Sequence, residues 1–254
     1  CGGSMRPEYY ADLYRRYSTY CRDYDGNHLF KIASGASDYD YNWTEVLMKN
    51  VGHRMAGVSL HYYTVMGWSG SKGSATQFTD DDYYWTMGKC LEIEPVLKKH
   101  MAIMDKYDPK KQIGLMVDEW GTWRDAFVAS LTLDVFHKYT DRIKMTNIAQ
   151  IANVLQSMIL TKDDKMVLTP TYHVFEMYKV HQDATYLPLE LNCERKVVRD
   201  DRIVPMVSAT ASRDANGLIH ISLSNVDLQE SQEIELNLGE VKAKSVTGRI
   251  LTAN

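Results

Sequence analysis

Cysteine is scarce and scattered in this sequence. The four cysteines, Cys1, Cys21, Cys90 and Cys193, make no C-x-x-C pair and no dense framework, which points to free thiols in a reducing compartment rather than a disulfide scaffold. Long apolar runs are missing too: none approaches eighteen residues, so the sequence offers no helix able to span a membrane. No basic block exceeds Lys110-Lys111 or Arg15-Arg16, and 33 acidic against 29 basic residues leave a net charge of -4. Nucleic acid is thereby a poor candidate partner, because phosphate backbones call for a concentrated positive footprint. The glycine-rich stretches contain neither a G-x-x-x-x-G-K-[ST] cradle nor a dinucleotide-binding fingerprint. No secretion leader is recognisable at the start, which is Cys1 rather than Met.

Against these absences, 44% of the 254 residues are hydrophobic, and there are 17 Tyr and 5 Trp. The first figure allows a sizeable core. The aromatics also suit a groove in which flat apolar sugar faces stack while hydroxyls and amides hold the polar edges.

Up to about residue 165, helical patterns alternate with short apolar runs. Pro7 suits a first helical turn, and Tyr10, Leu13, Tyr14, Tyr17 and Cys21 recur at helical spacing up to the Asp25-Gly26-Asn27 stop. Strands are predicted at Leu29 to Ala33, followed by Ser34-Gly35 and a polar loop, and at Val58 to Leu60, Ile113 to Val117 and Ile143 to Asn147. Helices are predicted around Trp43 to Met48, from about 80 to 107 with a break or kink at Pro95, and from 125 to 139. A further helix is expected after the fourth strand, with Ile148, Ile151, Leu155 and Ile159 on one face. Buried strands alternating with helices imply a parallel sheet covered by helices. Four such strands fit either a small open α/β domain or part of a closed barrel, which needs eight.

The period then changes to two. Ile203 to Ser212 and Leu218 to Asn225 read as strands joined by the turn Asp214-Ala215-Asn216-Gly217, and Ile234, Leu236 and Leu238 alternate with polar neighbours before a last strand within Ser245 to Leu251. The fold class expected is therefore α/β plus all-β. Residues 1–168 form the α/β part and 169–254 an antiparallel β-sandwich, with Thr169-Pro170 at the junction.

Polar residues recur just past the predicted strands: His61 and Tyr63 after the second, Glu119 in Val117-Asp118-Glu119-Trp120-Gly121 after the third, and Asn147 to Gln150 after the fourth. Ligands gather outside the carboxyl ends of parallel strands. A glutamate placed there beside Trp120 and Trp123 suits glycoside hydrolysis, where a carboxylate stabilises or captures the oxocarbenium-like centre while a second carboxyl group protonates the leaving oxygen. His61 and Tyr63 share strand parity and face one pocket, Tyr62 turns aside, and Asp118 is expected to point away from Glu119. His173 and Glu176 have i,i+3 spacing, but no third ligand or H-E-x-x-H motif accompanies them, so no metal is expected. Another retaining glycosidase such as a β-1,4-glucanase, and a noncatalytic carbohydrate-binding fragment, remain as alternatives.

Cys1-Gly2-Gly3, Arg6-Pro7-Glu8-Tyr9-Tyr10-Ala11, Asn42-Trp43-Thr44-Glu45, Ser59-Leu60-His61-Tyr62-Tyr63-Thr64, Val117-Asp118-Glu119-Trp120-Gly121-Thr122-Trp123, Asn147-Ile148-Ala149-Gln150, Thr169-Pro170-Thr171-Tyr172-His173-Val174-Phe175 and Val246-Thr247-Gly248-Arg249 closely resemble segments of the α-L-arabinofuranosidases of glycoside hydrolase family 51. The resemblance implies the second half of a (β/α)8 TIM barrel plus a β-sandwich. It further implies release of non-reducing terminal α-L-arabinofuranosyl groups from arabinan, arabinoxylan or their oligosaccharides, with retention and no cofactor. It makes Glu119 the nucleophile and places His61, Tyr63, Trp123 and Gln150 where they orient it or contact the sugar. The family's acid/base glutamate belongs to an N-E-x-x-G segment that this sequence does not contain, so the 254 residues alone are expected to be inactive. The family carries a longer loop where Trp123 here meets Arg124. Family members are often cytoplasmic oligomers, commonly hexamers, and the resemblance implies a cytoplasmic homo-oligomer here.

Overall fold

The computed structural model describes residues 5–69, 72–122 and 126–252. Helix α1 (Pro7–Ser18) opens on a proline in its first turn, where the missing N–H costs no hydrogen bond. Its buried side lies on strand β1 (Ile32–Ser37): the Ser34 amide donates to the Tyr10 hydroxyl at 2.7 Å, and the Tyr10 ring sits 5.4 Å from that of Trp43. The first strand thus begins at Ile32, not at Leu29, and Leu29 and Phe30 are exposed. Ser34-Gly35, expected as a loop, lies inside the strand for a steric reason. A β-carbon on Gly35 would stand 1.6 Å from the Ser59 carbonyl oxygen, so only glycine permits this approach to the neighbouring strand.

Helix α2 (Tyr41–Val51) is capped by Asp40, whose carboxylate accepts from the Trp43 amide at 3.1 Å, and it buries Trp43, Thr44, Leu47, Met48 and Val51 at helical spacing. Strand β2 (Gly57–Thr64) follows. Next comes α3 (Asp80–Leu91), with a reciprocal Thr79/Asp82 capping box, and then α4 (Ile93–Tyr107). The helical stretch breaks at Glu92; Pro95 falls in the first turn of α4, where it breaks nothing. Strand β3 (Gly114–Thr122), α5 (Ala126–His137) and β4 (Ile143–Ile148) complete the α/β part. Its sheet runs β1-β2-β3-β4 with every pair parallel, and among the described residues it does not close into a barrel. Arg142, fully buried, ties α4 to the sheet: it pairs with Asp105 and with Asp108 (2.7 Å) and donates to the Ile113 carbonyl at 2.8 Å.

The helix expected after β4 does not form. Ile151 is 63% exposed, and Asn153 and Leu155 adopt positive φ. The chain instead doubles back into a hairpin, β5 (Ile159–Lys162) and β6 (Lys165–Leu168). The Asn153 side chain brackets Thr161, accepting from its amide at 2.7 Å and donating to its hydroxyl at 2.8 Å, a local contact that competes with helix. The fourfold spacing of apolar residues was therefore coincidental. Helix α6 (Pro170–Tyr178), capped by Thr169, returns to the α/β part, where Phe175 stacks on Trp120 at 6.0 Å.

Beyond it, β7 (Thr185–Tyr186), β10 (Val207–Arg213) and β11 (Ile219–Asn225) form an antiparallel sheet in the order β11-β10-β7. A separate hairpin pairs β8 (Lys196–Arg199) with β9 (Arg202–Pro205). The single strand expected over Ile203 to Ser212 is split at the fully buried Met206. The turn at Asp214 to Gly217 forms as read, with Gly217 at φ 82°. The strands expected at Ile234 to Leu238 and Ser245 to Leu251 are absent, and Val246 and Ile250 are 85% and 89% exposed. Alternation gives a strand a dry face but no hydrogen-bonding partner, and these segments have none among the described residues. Cys21, Cys90 and Cys193 are free thiols, while Cys1 lies outside the described residues.

Candidate active site

Cross-strand register aligns Ser37 of β1 with His61 of β2, and His61 with Glu119 of β3, at the carboxyl ends of the strands. Between Ser59 and His61 strand β2 advances two residues, while β3 advances three, from Met116 to Glu119. This bulge resets the alternation of β3. Asp118 consequently does not point away: His61 Nε2 lies 3.4 Å from an Asp118 carboxylate oxygen, and His61 Nδ1 lies 3.0 Å from Glu119 Oε2. The second Glu119 oxygen accepts a very short hydrogen bond from the Tyr63 hydroxyl. Burial, reinforced by the Glu119 hydrogen bond and charge, raises the Tyr63 phenol well above its ordinary value, which keeps it a donor.

The outcome is a carboxylate gripped from behind and open in front: the side chain of His61 is 15% exposed and that of Glu119 43%. Tyr62 does turn aside, its hydroxyl donating to the Lys89 carbonyl at 2.7 Å on the helix-covered side. Trp120, on that same side, packs edge-on against Phe136 at 5.4 Å.

Gln150 stands two residues past β4 and is exposed. The Ala149 amide before it donates to the Trp120 carbonyl at 2.8 Å, and the Ala149-Gln150 peptide is cis. Gln150 therefore lies just beyond a strand end, with no helix directly following it. Trp123 and its junction with Arg124 lie outside the described residues.

Two neighbours of the site escaped sequence reasoning. Asp38, just past β1 and at φ 49°, donates its amide to the His61 carbonyl at 2.9 Å. Its carboxylate accepts from the Tyr63 amide, and burial raises its pKa. The Ser34-Gly35-Ala36-Ser37 stretch before it reads as a polar loop and carries no signal of a strand end. Trp68, 61% exposed, meets the Tyr63 ring edge-on at 5.4 Å, and the Lys72 ammonium lies 5.3 Å from its centroid. Glu176 pairs with Arg249 at 2.9 Å, and among the described residues no group of three His, Cys, Asp or Glu side chains is placed to hold a metal ion.

Known proteins resemble this chain in sequence and in fold. The α-L-arabinofuranosidase C-terminal domain family matches residues 102–254. An intracellular exo-α-L-arabinofuranosidase of Bacteroides ovatus is 74% identical over 272 aligned positions, which take in all of this chain and 53% of that protein. The crystal structure of a glycoside hydrolase family 51 arabinofuranosidase from Xanthomonas axonopodis pv. citri is similar with a TM-score of 0.85 at 46% identity, over 89% of this chain and 50% of that one. A family 51 α-L-arabinofuranosidase from Bifidobacterium longum shares the fold, with a TM-score of 0.75 at 16% identity over 89% of this chain and 51% of that one. The chain spans about half the length of these relatives. By the matched domain, by sequence and by fold, the chain belongs to the glycoside hydrolase family 51 α-L-arabinofuranosidases, of which it is a carboxyl-terminal part.

Proposed function

We propose that this chain supplies the nucleophile half of a retaining α-L-arabinofuranosidase active site, which removes non-reducing terminal α-L-arabinofuranosyl residues from arabinan, arabinoxylan or their oligosaccharides. The observation that carries the reading is Glu119, held on one oxygen by Tyr63 and on the other by His61 with its front open to solvent. An anionic carboxylate so held needs no further deprotonation to act as a nucleophile. Glu119 attacks the anomeric carbon while a second carboxylic acid protonates the departing oxygen. That second group then deprotonates a water, which attacks the glycosyl ester, releases arabinose and frees Glu119. The resemblance assigns the second carboxyl to the N-E-x-x-G glutamate, which is not among these 254 residues. Gln150 and Trp123 contact the sugar in this reading. No cofactor or metal takes part.

The test is steady-state hydrolysis by the full-length gene product. It is expected to cleave aryl α-L-arabinofuranosides and arabinan or arabinoxylan oligosaccharides, and Glu119→Gln is expected to lower kcat by about 10⁴-fold. Preference for cellulose oligosaccharides, or a Glu119→Gln enzyme of normal rate, overturns the reading. The isolated 254 residues are expected to turn over little substrate. A cytoplasmic location is supported by the word intracellular in the Bacteroides ovatus protein's name and is checked by cell fractionation. A homo-oligomer, hexameric by the resemblance, is checked by light scattering.

A further inference from the structure

We propose that Asp118 is a positioning residue for Glu119, acting through the His61 ring that lies between the two carboxylates. The inference rests on the reading of Glu119 as nucleophile. The β3 bulge places consecutive carboxylates on the two nitrogens of one imidazole, Glu119 Oε2 at 3.0 Å from Nδ1 and Asp118 Oδ1 at 3.4 Å from Nε2. Asp118 Oδ1 is buried and makes no hydrogen bond of good geometry. A desolvated carboxylate oxygen is costly unless a donor faces it, and the His61 ring edge is what stands there.

Two carboxylates on opposite ring nitrogens fix the plane of the imidazole between them, so that Nδ1 stays turned to Glu119 Oε2. Without the Asp118 carboxylate one of these two contacts is gone, and the ring can rotate out of line with Glu119. Other described groups stand near this pair. Tyr63, on the same strand, is committed to Glu119, and the Asp38 carboxylate beyond β1 interacts with both His61 and Lys89. Asp38 already receives the Tyr63 amide, whereas Asp118 Oδ1, with no hydrogen bond among the described residues, stands 3.4 Å from His61 Nε2.

A double-mutant cycle in the full-length gene product separates this role from a purely structural one. Asp118→Asn is expected to lower kcat on an aryl α-L-arabinofuranoside by about tenfold or more with KM within about twofold, since ground-state binding is untouched. In the His61→Asn background the same change is expected to cost nothing further, because the ring through which it acts is gone. Asp118→Glu, which keeps the charge, is expected to recover part of the loss. Asp118→Ser repeats the deletion with less bulk, and unfolding midpoints identify any variant that is misfolded. Effects that multiply in the double variant, or an Asp118→Asn enzyme of normal kcat, overturn the inference and leave the assignment of Glu119 standing. A wild-type protein inactive on arabinofuranosides overturns both.

Discussion

At the scale of single residues, the site is defined by what holds Glu119 rather than by Glu119 itself. A glutamate at the end of an apolar strand is equally at home in a surface ion pair, and its neighbours decide the matter. Tyr63 is the stronger restraint: its raised pKa keeps the phenol protonated across the working range, so it donates one hydrogen bond at every relevant pH. Tyr63→Phe removes that donor and little else. We expect kcat to fall by about a hundredfold with KM nearly unchanged, in line with the loss of one preorganised donor. Steady-state kinetics check it, and an unaltered kcat would leave Tyr63 with a packing role only. The pairing of Tyr63 with Glu119 was legible from strand parity. The turn of Asp118 toward His61 was not, because a bulge arises from how two strands pair and leaves no mark in either sequence.

At the scale of elements, positions that look permissive turn out to be tightly constrained. Ser34-Gly35 reads as a loop on composition, yet it sits in β1, with the Gly35 amide donating to Ser59 Oγ at 2.8 Å. Gly35→Ala drives a methyl group into the Ser59 backbone, which cannot yield as a flexible side chain would. The expected cost is about 3 kcal/mol. Urea unfolding is the measurement, and a variant within about 0.5 kcal/mol of wild type would mean that β1 and β2 are not packed this closely. Ser59 and His61 lie on the same strand, so displacement of β1 is also expected to disturb the site. Helices α1 to α5 were read near their observed positions, whereas the helix expected after β4 is absent and α6 was not expected. The caps at Asp40 and Thr79 and the helical spacing of the apolar residues in α2 are local features that the chain carries without help from distant residues.

At the scale of the whole molecule, the α/β part meets the antiparallel sheet through a buried polar network as well as an apolar one. Asp134 of α5 accepts from Tyr178 at 2.7 Å and from Ser208 at 2.6 Å. The His181 ring lies between Ser212 and Ser222, and His137 contacts Thr210 at 3.2 Å. Burial pulls His137 and His181 each down to about 4, and burial pushes Asp134 up to about 6. The unfolded chain protonates both histidines near pH 6.5, which the folded chain does only near 4, so these two lose stability as pH falls through that window. Asp134 works the other way, gaining its proton in the folded chain near pH 6 and in the unfolded chain near 4. Two sites outweigh one, and a net loss on the order of 2 kcal/mol is expected between pH 6.5 and 4. Urea titrations across that range measure it. His137→Gln is expected to flatten the slope and Asp134→Asn to steepen it; a protein that gains stability on acidification would contradict the network.

What the sequence determined by itself is local: the helix caps, the apolar strands β2 and β3, the Asp214 to Gly217 turn, and a glutamate at a strand end flanked by tryptophan. These follow from short-range sterics and hydrogen bonding, which any stretch of chain carries with it. Tertiary structure decided the rest. It converted Ser34-Gly35 from loop to strand, broke the apparent helix after β4 at Asn153 and Leu155, and left the alternating residues near Leu236 and Val246 without a partner. It also turned Asp118 inward. In each case the deciding interaction lies with residues distant in sequence or with a particular strand register, and periodicity is blind to both.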